Sequence, residues 1–258
     1  MIDNVSEIKD YIKKKISLIL EREPDLKEIL YQIFLSGSAY IVGGFLRDAV
    51  NKKDCRDIDI IVDVDKEKLL QIVSSSDCTY CINRHGGIKL NLISLDVDIW
   101  SIESNWAFEQ NLVSLSDDKN SRLLSIAKGC FYNYDSLVMN LANYNFDFHY
   151  YKQFQDRQEL DILMFSPEYK NLNPTTEANI IRAFFIKEKY EVGLSNQLEE
   201  YLFKKISSLG ASLEESINRI LEVKIKYPKY NKLSNARLVS DIEDLMREFG
   251  HRGQIIFN

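Results

Sequence analysis

Residues 40–62 read YIVGGFLRDAVNKKDCRDIDIIV, and this stretch decides how the rest of the chain is read. Tyr40 to Val42 is a short apolar strand that runs into Gly43-Gly44, and Phe45 to Val50 then reads as a helix. Asp57 to Val62 (DIDIIV) is a strand by its β-branched content. Asp57 and Asp59 lie two residues apart on that strand, so both carboxylates project from one face, about 6 to 7 Å apart. Like charges so placed resist joint ionisation unless a cation sits between them. A hard divalent ion such as magnesium, which prefers oxygen ligands, resolves the conflict. At the strand-to-helix turn, Gly43 and Gly44 let backbone N–H groups approach a phosphate, and Arg47 one helical turn on could meet the same group.

A site that grips both the attacking and the leaving oxygen needs a third carboxylate. LDVDIWSI, residues 95–102, supplies Asp96 and Asp98 on one strand face. Asp98 is the better candidate because Val97, Ile99 and Trp100 surround it, whereas Asp96 is nearer the turn. A lone D-x-D is often a solvated strand end, and a lone Gly-Gly is usually a turn. Their combination with a third acidic strand is far less expected by chance.

Outward from this centre, Val5 to Glu21 and Asp25 to Leu35 carry apolar residues at helical spacing. Lys66 to Val73 reads as a helix, and Ile88 to Ile93 and Val97 to Ile102 read as a strand pair around a turn at Ser94-Leu95. This order gives a mixed sheet with helices on one face. Ser114 to Ser121 reads as a polar loop, and Phe131 to Leu141 and Phe146 to Tyr150 read as a further strand or helix and its return. Beyond Ser166 only helices are expected: Thr175 to Tyr190, Ser195 to Leu209, Ser212 to Lys226 and Ser234 to Phe249, each with Ser or Thr available as N-cap. The fold class is therefore α+β, a head over residues 1–165 followed by an all-helical domain over 166–258, with Pro167 and Pro174 marking the far side of a soft boundary.

Composition is that of an ordinary globular protein: 258 residues, 45% hydrophobic, 28% charged, formal net charge -6. There is no apolar run of membrane-spanning length and no signal-peptide pattern, so a cytoplasmic protein is expected. Acidity gives no support to a protein that coats nucleic acid. Cys78-x-x-Cys81 has no second pair and reads as packing, as do Cys55 and Cys130. Lys224, Lys226, Lys229 and Lys232 interleave with Tyr227 and Tyr230, a pattern that can hold single-stranded RNA but more often marks a solvated helix end with tyrosines packed inward.

The motif Val42-Gly43-Gly44-Phe45-Leu46-Arg47-Asp48, followed by Asp57-Ile58-Asp59, resembles the head domain of class II CCA-adding enzymes and bacterial poly(A) polymerases, in the polymerase β-like nucleotidyltransferase superfamily. The resemblance implies two magnesium ions held by Asp57, Asp59 and Asp98. It implies a nucleoside triphosphate bound around Gly43 and Gly44, and Arg47 and Asp48 are further candidate nucleotide contacts. Arg84-His85-Gly86-Gly87 looks like the family's turn before the third acidic strand. Good resemblance spans residues 38 to 102.

Two family motifs are missing. Where Arg-Arg-Asp-Phe-Thr-x-Asn-Ala would fall, Gly129 to Ser136 read GCFYNYDS, leaving Asn133 and Asp135 as candidates only. The base-reading motif would end at Arg182-Ala183, and Thr175, Thr176 and Asn179 occupy its Glu, Asp and Arg positions. Arg182 remains a candidate nucleotide contact. The expected function is magnesium-dependent transfer of a nucleoside monophosphate to an acceptor hydroxyl on RNA, a small molecule or a protein, by something other than a standard CCA-adding enzyme. The alternative is an inactive module that keeps the fold to bind nucleotide or a protein partner.

Overall fold

A computed structural model describes residues 5–55, 57–83, 86–163 and 175–256, with backbone alone at 119, 120 and 250–256. Arg56, Arg84, His85, Pro167 and Pro174 lie outside the described residues. The chain forms two compact units, 1–155 and 156–258, where the sequence reading draws the break at 165/166.

The first unit contains α1 (Val5–Arg22), α2 (Pro24–Phe34), β1 (Ala39–Val42), α3 (Gly44–Val50), β2 (Asp57–Val62), α4 (Lys66–Ser74), β3 (Thr79–Ile82), β4 (Ile88–Asn91) and β5 (Asp96–Ser101). It continues with α5 (Trp106–Glu109), α6 (Lys119–Lys128), β6 (Val138–Asn140), β7 (Phe146–Asp147) and α7 (His149–Arg157), which crosses into the second unit. Seven strands form one sheet in the order β3-β4-β5-β2-β1-β6-β7. β2 and β5 are parallel, and the other neighbours pair antiparallel, so the sheet is mixed as expected.

Helices lie on both faces of this sheet, not on one. On one side Ile41, Ile58 and Ile60 meet Ile16, Ile19 and Leu20 of α1 and Leu26 and Leu30 of α2. On the other, Tyr40, Val42, Ile61 and Val138 pack under Leu123, Ile126 and Ala127 of α6, with Trp100 against the cluster. Burying a side chain of this size contributes about 1.5 to 3 kcal/mol, so α6 is a full part of the core. The sequence reading misses α6 because a polar run precedes it. That run is its cap: the Asp118 carboxylate accepts from the Ser121 amide at 2.8 Å. It also leaves out β3, an edge strand with three of its four residues exposed and hence no apolar alternation to detect.

Glu23 is 2% exposed. Its carboxylate accepts from the amides of Ile93 (3.1 Å) and Ser94 (2.7 Å) and from the Ser94 hydroxyl. Burial alone would raise its carboxyl; the hydrogen bonds outweigh burial and hold it below the usual range. The start of α2 is thereby tied to the β4–β5 turn.

In the second unit, β8 (Glu159–Leu160) pairs in parallel with β9 (Gly193–Leu194), and between and beyond them lie α8 (Thr176–Tyr190), α9 (Asn196–Ser207), α10 (Leu213–Ile225) and α11 (Asn235–Ile256). The two-residue bridge is too short to leave a periodic signal. The hydroxyls of Thr175, Ser195, Ser212 and Ser234 accept from the amides of Ala178, Leu198, Glu215 and Arg237, so the four expected caps are in place. Among the described residues no helix is long and apolar enough to cross a membrane.

Candidate active site

The strand register assembles the acidic residues. In the parallel pair β2–β5, Asp57 lies opposite Asp96 and Asp59 opposite Asp98. Residues directly opposite in a sheet share a face, so four carboxylates from two strands stand on one side. The alternation is explicit: Ile58, Ile60, Val97 and Ile99 are buried, while Asp57, Asp59 and Asp98 are half-buried and Asp96 is exposed. The acids occupy the starts of β2 and β5, beyond the part of that face that α6 covers.

The glycine turn lies at the same end of the sheet. β1 runs antiparallel to β2 with Val42 opposite Asp59, so the chain leaves β1 beside the first residues of β2. Gly43 has φ +66° and ψ -116°, a conformation that essentially only glycine adopts. Its amide donates to the Leu137 carbonyl at 2.9 Å, which ties the turn to the segment entering β6.

Asp98 is the acid whose ionisation this setting resists most clearly. Burial is the largest cause pushing its carboxyl above the ordinary range; Lys89 opposes it, and the negative charges of Asp57 and Asp96 add to it. A carboxyl raised by folding contributes stability that is full below its unfolded pKa and lost as pH rises through the folded one. Ionised Asp98 therefore weighs against the metal-free fold at neutral pH. Asp98→Asn is expected to raise the melting temperature at pH 7 by about 2 °C, a small figure because the group is partly screened by water. The gain should vanish as pH falls into the carboxylate range, and a melting temperature unchanged or lowered at pH 7 contradicts this account.

These donors suit a hard divalent cation in chemistry: three carboxylates on one face of the sheet. As the side chains stand, however, no group of three or more His, Cys, Asp or Glu among the described residues is arranged to hold a metal ion. The sequence reading expects convergence; the structure supplies the shared face and not the closed ligand set.

Arg47 packs back against the turn, with Nη2 3.7 Å from the point where a Cβ on Gly44 would stand. Its Nη1 donates to Asp135 Oδ1 at 3.0 Å, and its guanidinium lies 4.1 Å from the centre of the Tyr134 ring. Both partners of the pair are largely buried, with side chains 16% and 14% exposed. Sequence reasoning leaves Asp135 only as a candidate; its engagement with Arg47 spans 88 residues and could not be seen from local pattern. Asn133 is buried on the same segment. Asp48 is half-buried on α3.

In the second unit, Arg182 is half-buried on α8. The positions aligned with the base-reading motif serve the helix itself: Thr175 caps it, Thr176 begins it and Asn179 is 1% exposed. The basic and aromatic stretch is partly interior, since Lys224 is buried and donates to Asn235 Oδ1 at 2.9 Å, and Tyr230 is buried.

Residues 39–123 match the family described as Poly A polymerase head domain. No curated protein sequence matches the chain. Among solved structures, a CCA-adding enzyme in apo form I is 16% identical with a TM-score of 0.57, covering 89% of this chain and 53% of that one. A CCA-adding enzyme with ATP is 15% identical with a TM-score of 0.55, covering 89% and 54%. The Thermotoga maritima CCA-adding enzyme with tRNA is 14% identical with a TM-score of 0.50, covering 81% and 51%. The chain thus spans about half the length of these structures, and at such identities the likeness is one of fold. Over residues 39–123 the chain resembles in sequence the head domain of poly(A) polymerases, a polymerase β-like nucleotidyltransferase head, and over most of its length it resembles CCA-adding enzymes in fold.

Proposed function

We propose that this protein transfers a nucleoside monophosphate from a nucleoside triphosphate to an acceptor hydroxyl, with release of pyrophosphate. The observation that carries the reading is the shared face of Asp57, Asp59 and Asp98 at the sheet end where the Gly43-Gly44 turn also lies. Asp57, Asp59 and Asp98 would hold magnesium, which when bound neutralises triphosphate charge and lowers the pKa of a coordinated hydroxyl. The chain's own part is positional. The open backbone at Gly43 and Gly44 would receive the phosphates, Asp98 would face the acceptor side, and Asp48 and Arg182 are further candidate contacts. Arg47 would meet the same phosphates from beside Gly44, where its Nη2 lies, while Nη1 is held by Asp135. Residues 1–165 would carry the chemistry, and 166–258 would form a separate helical domain.

An RNA 3′ end is the favoured acceptor, since the solved relatives include a CCA-adding enzyme complexed with tRNA. Thr175, Thr176 and Asn179 lack the side chains that would read a base, so the nucleotide is not expected to be chosen as a CCA-adding enzyme chooses it. That same observation favours a second reading, an inactive head that binds nucleotide or a partner.

The test is incubation with each labelled triphosphate, magnesium and total cellular RNA. Label on RNA 3′ ends that disappears on chelation is the expected result. Triphosphate binding without transfer to RNA or to any lysate component supports the second reading instead.

A further inference from the structure

The acidic face also carries a lysine, Lys89, from the neighbouring strand β4. In the antiparallel pair β4–β5, Lys89 lies directly opposite Asp98, and Asn91 opposite Asp96. Two rows therefore cross the sheet on one face: Lys89, Asp98 and Asp59 in one, Asn91, Asp96 and Asp57 in the other. Lys89 Nζ leans from its own row to the next and donates to Asp96 Oδ2 at 2.9 Å. Its side chain is 37% exposed and that of Asp96 50%, so the pair is open to water and exchangeable.

We propose that Lys89 is a resident cation of this face, a positioning residue that neutralises Asp96, stands beside Asp98 and so sets how tightly a divalent ion binds. The inference rests on the reading of Asp57, Asp59 and Asp98 as metal ligands. Four carboxylates on two adjacent strands would repel one another in the absence of metal. One ammonium among them relieves that repulsion and at the same time opposes an incoming dication. A unit charge a few ångströms from a divalent ion at a partly wet surface changes its binding by about tenfold. Register makes this a fixed property: β4 cannot slide without breaking its pairing with β5, whose turn Glu23 holds. Metal affinity in this protein is thus set by a side chain from outside the two acidic strands.

Manganese binding to the full chain, measured by calorimetry without nucleotide, tests the proposal on wild type, Lys89→Met, Lys89→Arg and the double variant Asp57→Ala/Asp59→Ala. The methionine variant keeps the apolar stem and loses the charge, and it is expected to bind manganese about tenfold more tightly than wild type. The arginine variant, which keeps the charge, is expected to bind as wild type does. Equal or weaker binding by Lys89→Met, in a variant whose melting curve shows it folded, overturns the role of Lys89. An arginine variant that matches the methionine variant does the same, because shape and not charge would then be at work. Manganese binding that persists without Asp57 and Asp59 is a separate outcome, and it overturns the reading of the site on which this inference rests.

Discussion

Replacing Asp57 and Asp59 together by alanine is expected to lower pyrophosphate release from nucleoside triphosphate by roughly a thousandfold or more, measured with magnesium and the acceptor identified by labelling. The two carboxylates sit on one strand and share a face with Asp98, so removing both takes away the centre of the donor set and leaves Asp98 as an isolated ligand. The fold should survive. Asp57 and Asp59 are half-buried at the start of β2, the residues that hold the strand in the core are Ile58, Ile60, Ile61 and Val62, and the variant loses mutual repulsion as well as ligands. A circular dichroism spectrum and melting temperature close to wild type therefore accompany the loss. A folded double variant that keeps even a tenth of the activity would remove these residues from the chemistry.

Asp135→Ala is expected to be the most damaging single change to the head. It takes from the largely buried Arg47 guanidinium the carboxylate to which Nη1 donates. Removing one partner of a buried pair costs about 3 to 5 kcal/mol, most of it the penalty of an uncompensated charge. In a unit of this size that is a fall of roughly 6 to 20 °C in melting temperature. Asp135→Asn keeps an oxygen that can accept from Nη1 and should lose less than half as much. The consequence reaches the site, because Asp135 belongs to the segment whose Leu137 carbonyl receives the Gly43 amide. Loosening that segment should raise the KM for triphosphate more than it lowers kcat. A melting temperature for Asp135→Ala within 2 °C of wild type would show that the pair does not hold the turn.

Much of this was readable before any coordinates. The strand DIDIIV alternates acid and aliphatic at its start, and that alone places Asp57 and Asp59 together. The four Ser and Thr caps of the second unit were visible for the same reason: a cap is a local event, one side chain bonding to an amide two or three residues on. Locality also explains the omissions. β3 lies at an exposed edge and buries too little to impose a period, and α6 begins with a capping run that looks like loop.

What sequence by itself determined is the chemical inventory: a glycine that must turn with positive φ, two acids on one strand, a third on another, and a helical C-terminal part with its caps. Tertiary structure alone decided which of these meet. The parallel pairing of β2 with β5 put Asp98 beside Asp59, the antiparallel pairing of β4 brought Lys89 to the same row, and an 88-residue closure committed Arg47 to Asp135. The physical reason is that strand register and buried ion pairs are settled by distant partners competing for one core, and no local window of sequence contains both sides of that competition.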